Sequence, residues 1–208
     1  MKRLAGILTS VLLLVTALAA PTVAETSSPS LASAVETIDP GKVHVQFKVR
    51  VFGLLSIKGR FDRLFGKFVN NPKGPATGVR MQIDANSVTT DDEWRDDYLR
   101  GPTFFAVDRY PHITFSGRCL GRGDNGVMQL AGHLSLRGRS RPVIFEFESV
   151  DTSLDNSAAT YHARTVIRRS EFGLNAMQHL ISDEVEIIVA MQAGSNDRRV
   201  LPSKTRLQ

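Results

Sequence analysis

Cysteine is almost missing from this 208-residue chain. Cys119 stands alone, which excludes an intrachain disulfide and the paired-thiol sites of structural zinc. It reads as a small buried residue on a strand. The five histidines, His44, His112, His133, His162 and His179, have no partners at metal-ligand spacing, and four of them fall on the polar phase of strand-like segments. No serine stands in a Gly-x-Ser-x-Gly elbow, and Gly-x-Gly-x-x-Gly does not occur as a strand-to-helix turn. Asp96 and Asp97 are adjacent on a helical stretch, where consecutive side chains diverge, so they read as helix solvation or as partners of Arg95 and Arg100. Arg137, Arg139 and Arg141 form a basic hairpin without the interleaved aromatics that stack bases, so it reads as a solvated turn. Metal, nucleic-acid and catalytic chemistry therefore have little to stand on, and no cofactor is expected.

What is present begins with an export leader. Lys2-Arg3 precedes an apolar run from Leu4 to Leu18, and small residues follow through Ala24. The run is short for a bilayer span, so residues 1–24 read as a signal peptide, cut after Ala24 or, as the alternative, after Ala19. No cysteine follows it to carry a lipid anchor. The net charge of +5 includes Lys2 and Arg3; without the leader 24 basic groups face 21 acidic ones, a balance that gives solubility and no nucleic-acid surface. Residues 194–208 read as a polar, basic, disordered tail, with transient contact to an anionic membrane as a secondary reading.

Between leader and tail the chain alternates apolar and polar residues. Val43, Val45, Phe47, Val49 and Val51 alternate with His44, Gln46, Lys48 and Arg50, the clearest half-buried strand. The same period recurs in 57–69 with a bend at Asp62-Arg63, then in 79–83, 113–116, 128–136, 143–147, 161–167 and 185–191. Eight segments joined by turns of Gly, Asn, Asp and Pro predict an all-β, up-and-down antiparallel barrel. A β-sandwich is the alternative. The aromatic excess on the inner phase (Phe47, Phe61, Phe115, Phe145) favours the barrel, although inward phenylalanines ordinarily just pack a core.

One stretch breaks the pattern. Asp91 to Arg100 is charged and helical, Gly101-Pro102 stops it, and Phe104-Phe105 follow. Thr90 three residues before Glu93 predicts a capping box, with Asp91 and Asp92 in the first turn. This helical insertion is expected to close one end of the barrel.

The chain resembles the YceI-like family. The resemblance rests on Val43-His44-Val45-Gln46-Phe47, Gly59-Arg60-Phe61, Ser87-Val88-Thr89-Thr90, Arg95-Asp96-x-x-Leu99-Arg100 and Phe104-Phe105. Further on it includes Tyr110-Pro111-x-x-x-Phe115-Ser116, Gly132-x-Leu134-x-Leu136-Arg137-Gly138, Arg168-x-x-x-Phe172-Gly173 and Ser182-Asp183-Glu184-Val185. It spans residues 36–193. The resemblance implies a lipocalin-like eight-stranded barrel that holds a long-chain isoprenoid or other amphiphilic lipid, in a periplasmic or secreted protein without enzyme activity. Relatives of this kind are linked to isoprenoid quinones and to stress responses. Under that implication the ligand contacts are Phe47, Val49, Phe61, Met81, Phe115, Leu134, Phe145 and Ile187, with Trp94, Leu99, Phe104 and Phe105 as a closing plug. Arg95 and Arg168 are candidates for a polar head group or for structural ion pairs. Tyr98 stands where relatives often have histidine, and Thr103 where an acidic residue is usual, so polar recognition at the pocket mouth need not follow the family's. A scaffold for a membrane redox or envelope stress partner is the alternative function. The oligomeric state is left open, a homodimer being one alternative.

Overall fold

The computed structural model describes residues 35–69, 78–123, 126–152 and 158–194. The expected leader, residues 1–24, and the tail beyond Gly194 lie outside them, as do residues 70–77. Eleven strands form one sheet: β1 Val35–Ile38, β2 Val43–Val51, β3 Leu55–Phe61, β4 Leu64–Val69, β5 Gly78–Asp84, β6 Val88–Thr89, β7 His112–Arg122, β8 Met128–Leu136, β9 Arg139–Thr152, β10 Ala158–Arg168 and β11 Ile181–Gly194. All pairings are antiparallel, in the order β1-β4-β5-β7-β8-β9-β10-β11-β2-β3-β6.

The eight expected segments are the wall of this barrel. The difference in number has three sources. The second segment is interrupted at Asp62-Arg63 into β3 and β4, and β1 and β6 are short strands added at the ends of the ladder. The interruption is also how the sheet closes. The first stretch of this bent strand pairs with β2 from Leu55 to Phe61, and the second pairs with β5 from Leu64 to Val69. One strand thus serves both neighbours, so the ladder returns on itself with the stagger that a tilted barrel needs. Backbone bonds hold the corner: Asp62 N–H donates to Ser87 O (3.2 Å) and Asp84 N–H to Arg63 O (3.0 Å).

Alternation decides the inside. Val43, Val45, Phe61, Ile83, Ile113, Phe115, Leu130, Leu134, Leu136, Phe145, Ala163 and Ile167 are buried, Phe47, Met81 and Ile187 are half-buried against them, and Val49 is half-buried. The up-and-down order gathers four connections at one end: 52–54, 85–111, 137–138 and 169–180. All five described non-glycine residues with positive φ (Phe52, Asp91, Ala106, Arg137 and Met177) lie there. Arg137 is not a solvated turn residue. Its guanidinium donates to Gly173 O (2.6 Å) and Pro102 O (2.8 Å), binding three connections together.

Helix α1, Glu93–Arg100, lies in the second connection. Its start differs from the expected capping box. Asp92 is the N-cap and accepts from Arg95 N–H at 3.1 Å, whereas Thr90 is buried two residues earlier. Asp91 adopts φ 60°, which turns the chain between them. Asp97 pairs with Arg100 as expected (2.7 Å), but Asp96 is not helix solvation. Its buried carboxylate accepts from Thr90 N–H (2.7 Å) and Thr90 Oγ1–H (2.6 Å), which ties the helix to the strand that feeds it. Burial alone would raise the Asp96 pKa. Hydrogen bonds from Thr90 and Thr89 and the nearby Arg100 charge outweigh that and hold it below its ordinary value.

Replacing Asp96 with alanine leaves two buried Thr90 donors unpaired and is expected to cost about 2–4 kcal/mol in urea unfolding. Because the folded-state pKa is lowered, the carboxylate's contribution is full above the ordinary aspartate range and is lost as pH falls toward the folded value. The gap between wild type and Asp96→Ala should therefore narrow on acidification.

An apolar cavity inside the barrel

The inward side chains do not fill the barrel. A cavity of about 450 Å³ remains, within the range of roughly 300–1,000 Å³ usual for ligand sites. All eight residues expected as ligand contacts line it: Phe47 and Val49 from β2, Phe61 from β3, Met81 from β5, Phe115 from β7, Leu134 from β8, Phe145 from β9 and Ile187 from β11. With Ile167 from β10, eight strands contribute to one apolar wall.

Glycines help keep the space open. Phe47 faces Gly59 across β2 and β3, and a Cβ at Gly59 would lie 2.3 Å from the ring. Phe115 covers the paired Gly117 and Gly132 in the same way, with 2.5 and 2.7 Å between the ring and a Cβ at each position. Because these positions have no side chain, the phenyl rings lie over the backbone and project less toward the barrel axis. Ring contacts extend the aromatic surface: Phe47 to Phe61, tilted, and Phe61 to Phe105, edge-on, each 5.7 Å between centroids, and Phe115 to Phe145, edge-on, at 5.3 Å.

The expected plug divides. Phe104 is buried, Phe105 and Leu99 are half-buried, and all three line the cavity. Trp94 also lines it but is 79% exposed, stacked on Tyr98 with ring planes 1° apart. It stands at the opening. Tyr98 in turn meets Phe104 edge-on at 5.4 Å, linking surface to interior.

The two candidate arginines also part. Arg95 lines the cavity, with Nε donating to Thr90 Oγ1 (2.7 Å), one terminal nitrogen donating to Thr90 O (2.8 Å) and the other 3.4 Å from Asp92. These contacts give it the geometry of a structural ion pair. Arg168 is exposed and does not line the cavity. The next residue does: the chain enters a 3₁₀ turn, Arg169–Phe172, and Arg169 swings inward. Arg169 is buried and donates to the carbonyls of Leu174, Ala176 (2.8 Å), Ile181 (2.9 Å) and Ser182 (2.9 Å). Burial pushes its pKa down, with Asp183 opposing. Arg169 keeps the inward phase of Ala163 and Ile167, whereas Arg168 falls on the outward phase with Arg164 and Val166, so the strand period extended by one step pointed to Arg169.

Other lining residues were passed over as turn residues. Phe52, Met177 and Leu180 border the cavity from connections. The available signal was their apolarity, since turns are ordinarily polar. His44, His112, His133 and His179 are exposed, and His162 is half-buried. No group of His, Cys, Asp and Glu among the described residues could hold a metal. Cys119 is half-buried and its thiol pKa is raised by burial.

A closed antiparallel barrel with an apolar hollow and a helix across one end belongs to the lipocalin-like class of folds. Within that class the YceI-like domain model matches residues 37–193, and the chain belongs to the YceI-like family. It is 28% identical over 158 residues to a UPF0312 protein of Vibrio cholerae serotype O1, covering 73% of this chain and 84% of that one. Among solved structures it resembles BcnA of Burkholderia cenocepacia, with TM-score 0.64, 21% identity and coverage of 75% of this chain and 99% of that one. It also resembles a polyisoprenoid binding domain from Saccharophagus degradans implicated in plant cell wall breakdown, with TM-score 0.58, 17% identity and coverage of 77% and 98%.

Arg169→Met should strip four carbonyls of a shared donor and lower stability by about 3 kcal/mol. Limited proteolysis should then cut first between residues 174 and 182, the segment this guanidinium holds.

Proposed function

We propose that this chain is an exported, non-enzymatic binding protein that holds a long-chain isoprenoid or similar amphiphilic lipid inside its barrel. The observation that carries the reading is the continuous apolar wall around the 450 Å³ cavity, built from eight strands. Such a wall suits a hydrocarbon tail. Each methylene moved from water into it contributes about 0.8 kcal/mol and needs no directional partner. The structural likeness to a polyisoprenoid binding domain supports the same ligand class. Polar groups enter the lining mainly toward the helical end, as Thr90 and Arg95. A head group there would meet their network while its tail runs toward Phe115 and Phe145. The export leader expected at residues 1–24 fits a periplasmic protein, where carriage or storage of such a lipid would serve quinone handling or protection under stress.

Native mass spectrometry of protein purified from its own periplasm should show a lipid adduct that organic extraction removes. Leu134→Trp, which fills the cavity from β8, should abolish the adduct while leaving the fold intact by circular dichroism. Phe104→Ala/Phe105→Ala should shorten retention, since both rings face the cavity from the helical insertion. A wild-type protein without any adduct, or an adduct unchanged in Leu134→Trp, would refute the reading.

A further inference from the structure

Eleven large apolar side chains are exposed among the described residues, and seven of them collect at the helical end of the barrel. The β2–β3 turn supplies Phe52 and Leu54, and the first residue of β3 supplies Leu55, with Leu54 92% exposed. Helix α1 supplies Trp94 and Tyr98, and the β10–β11 connection supplies Met177 and Leu180. The two connections are joined directly, as Phe52 N–H donates to Leu180 O at 2.7 Å. Phe52 and Met177 hold φ near +50°, a backbone state that costs energy for a bulky side chain and that turns usually assign to glycine or asparagine. Apolar residues at strained turn positions are unfavourable for a surface that meets only water.

Five of the seven also line the cavity: Phe52, Trp94, Tyr98, Met177 and Leu180. The exposed rim and the interior are therefore one apolar surface, and whatever covers the rim is continuous with whatever fills the barrel. Charge narrows the choice of cover. Asp91, Asp92, Glu93 and Asp97 are exposed on or beside the helix, and its two arginines, Arg95 and Arg100, are paired with Asp92 and Asp97, so the helix side of the rim is no basic patch for a polyanion. The stacked indole and phenol of Trp94 and Tyr98 have the amphipathic character of side chains that settle at a bilayer interface.

We infer that this end of the barrel docks on a lipid bilayer by inserting the rim of Phe52, Leu54, Leu55, Trp94, Met177 and Leu180. The inference rests on the lipid-binding reading and extends it: the ligand passes between membrane and cavity across apolar contacts, without exposing its tail to water. Attachment comes from apolar insertion and not from charge. It therefore differs from a basic-tail contact in that it resists salt and gains nothing from anionic lipid.

Trp94 is the only tryptophan and reports on the rim directly. With phosphatidylcholine vesicles carrying brominated acyl chains, its emission should shift to the blue and be quenched, equally so at about 0.5 M NaCl. Adding phosphatidylglycerol should not strengthen the effect. Leu54→Glu, at an exposed turn position outside the cavity lining, should weaken vesicle binding about tenfold or more. The same variant should take up cis-parinaric acid from solution as the wild type does, which tests the cavity separately. Unquenched Trp94 in the wild type, or equal quenching in Leu54→Glu, overturns docking and leaves the cavity reading standing if the probe still binds. A blue shift that grows with protein concentration and without vesicles assigns the rim to a second copy and also overturns it.

Discussion

A barrel of tilted strands can close only if its ladder returns with a stagger, and here a single bent strand carries that constraint. β3 and β4 are consecutive, with only Asp62 and Arg63 between them, yet they pair with different neighbours. The arrangement leaves the edge of β3 beyond the reach of β5. An unpaired edge is a row of open donors and acceptors. The chain answers by running from Asp84 across the opening as a 3₁₀ turn and then as β6, which pairs with Arg60 and Phe61. Helix α1 follows. The helical insertion is thus a consequence of closure, and its position at the opening follows from where the ladder leaves an edge.

Two kinds of interaction then divide the work. The wall is apolar and held by ladder hydrogen bonds, with phenylalanine rings laid over glycines so that the centre stays hollow. The helical end is irregular backbone, and its carbonyls need donors. Arg137, Arg169 and Arg100 supply them, each reaching carbonyls of the connections at that end. At the helix start the need is reversed, and the Asp96 carboxylate accepts from Thr90 N–H and Thr90 Oγ1–H. These buried polar ties keep a fixed mouth around an apolar cavity, where an unsupported loop would collapse into the space.

Strand phases were legible because a period of two sorts residues into faces whatever their neighbours are. That is why Phe47, Phe115, Leu134 and Phe145 could be assigned to the interior, and why the family resemblance covered the domain. Legibility failed where the backbone leaves that period. Thr90 and Asp92 exchange roles at a left-handed residue, whereas Arg169 keeps the inward phase of Ile167 and was missed because a charged side chain was not expected inside. Asp96 and Arg137 look like surface charges in sequence, yet each is committed to backbone or side-chain partners brought near by folding. Phe52 and Met177 sit in turns, so their apolarity had no assigned face.

Sequence alone determined the all-β class, the inward set of side chains and the place of the helical insertion, because alternation and helix-stop chemistry are local. Whether the inward phenylalanines would pack a core or surround a hollow was settled only by tertiary structure. That outcome depends on cross-strand register, which sets Phe47 over Gly59 and Phe115 over Gly117 and Gly132. The gathering of the apolar rim is of the same kind. Its residues come from three separate segments, at 52–55, 94–98 and 177–180, and only the up-and-down order of the strands brings them to one opening.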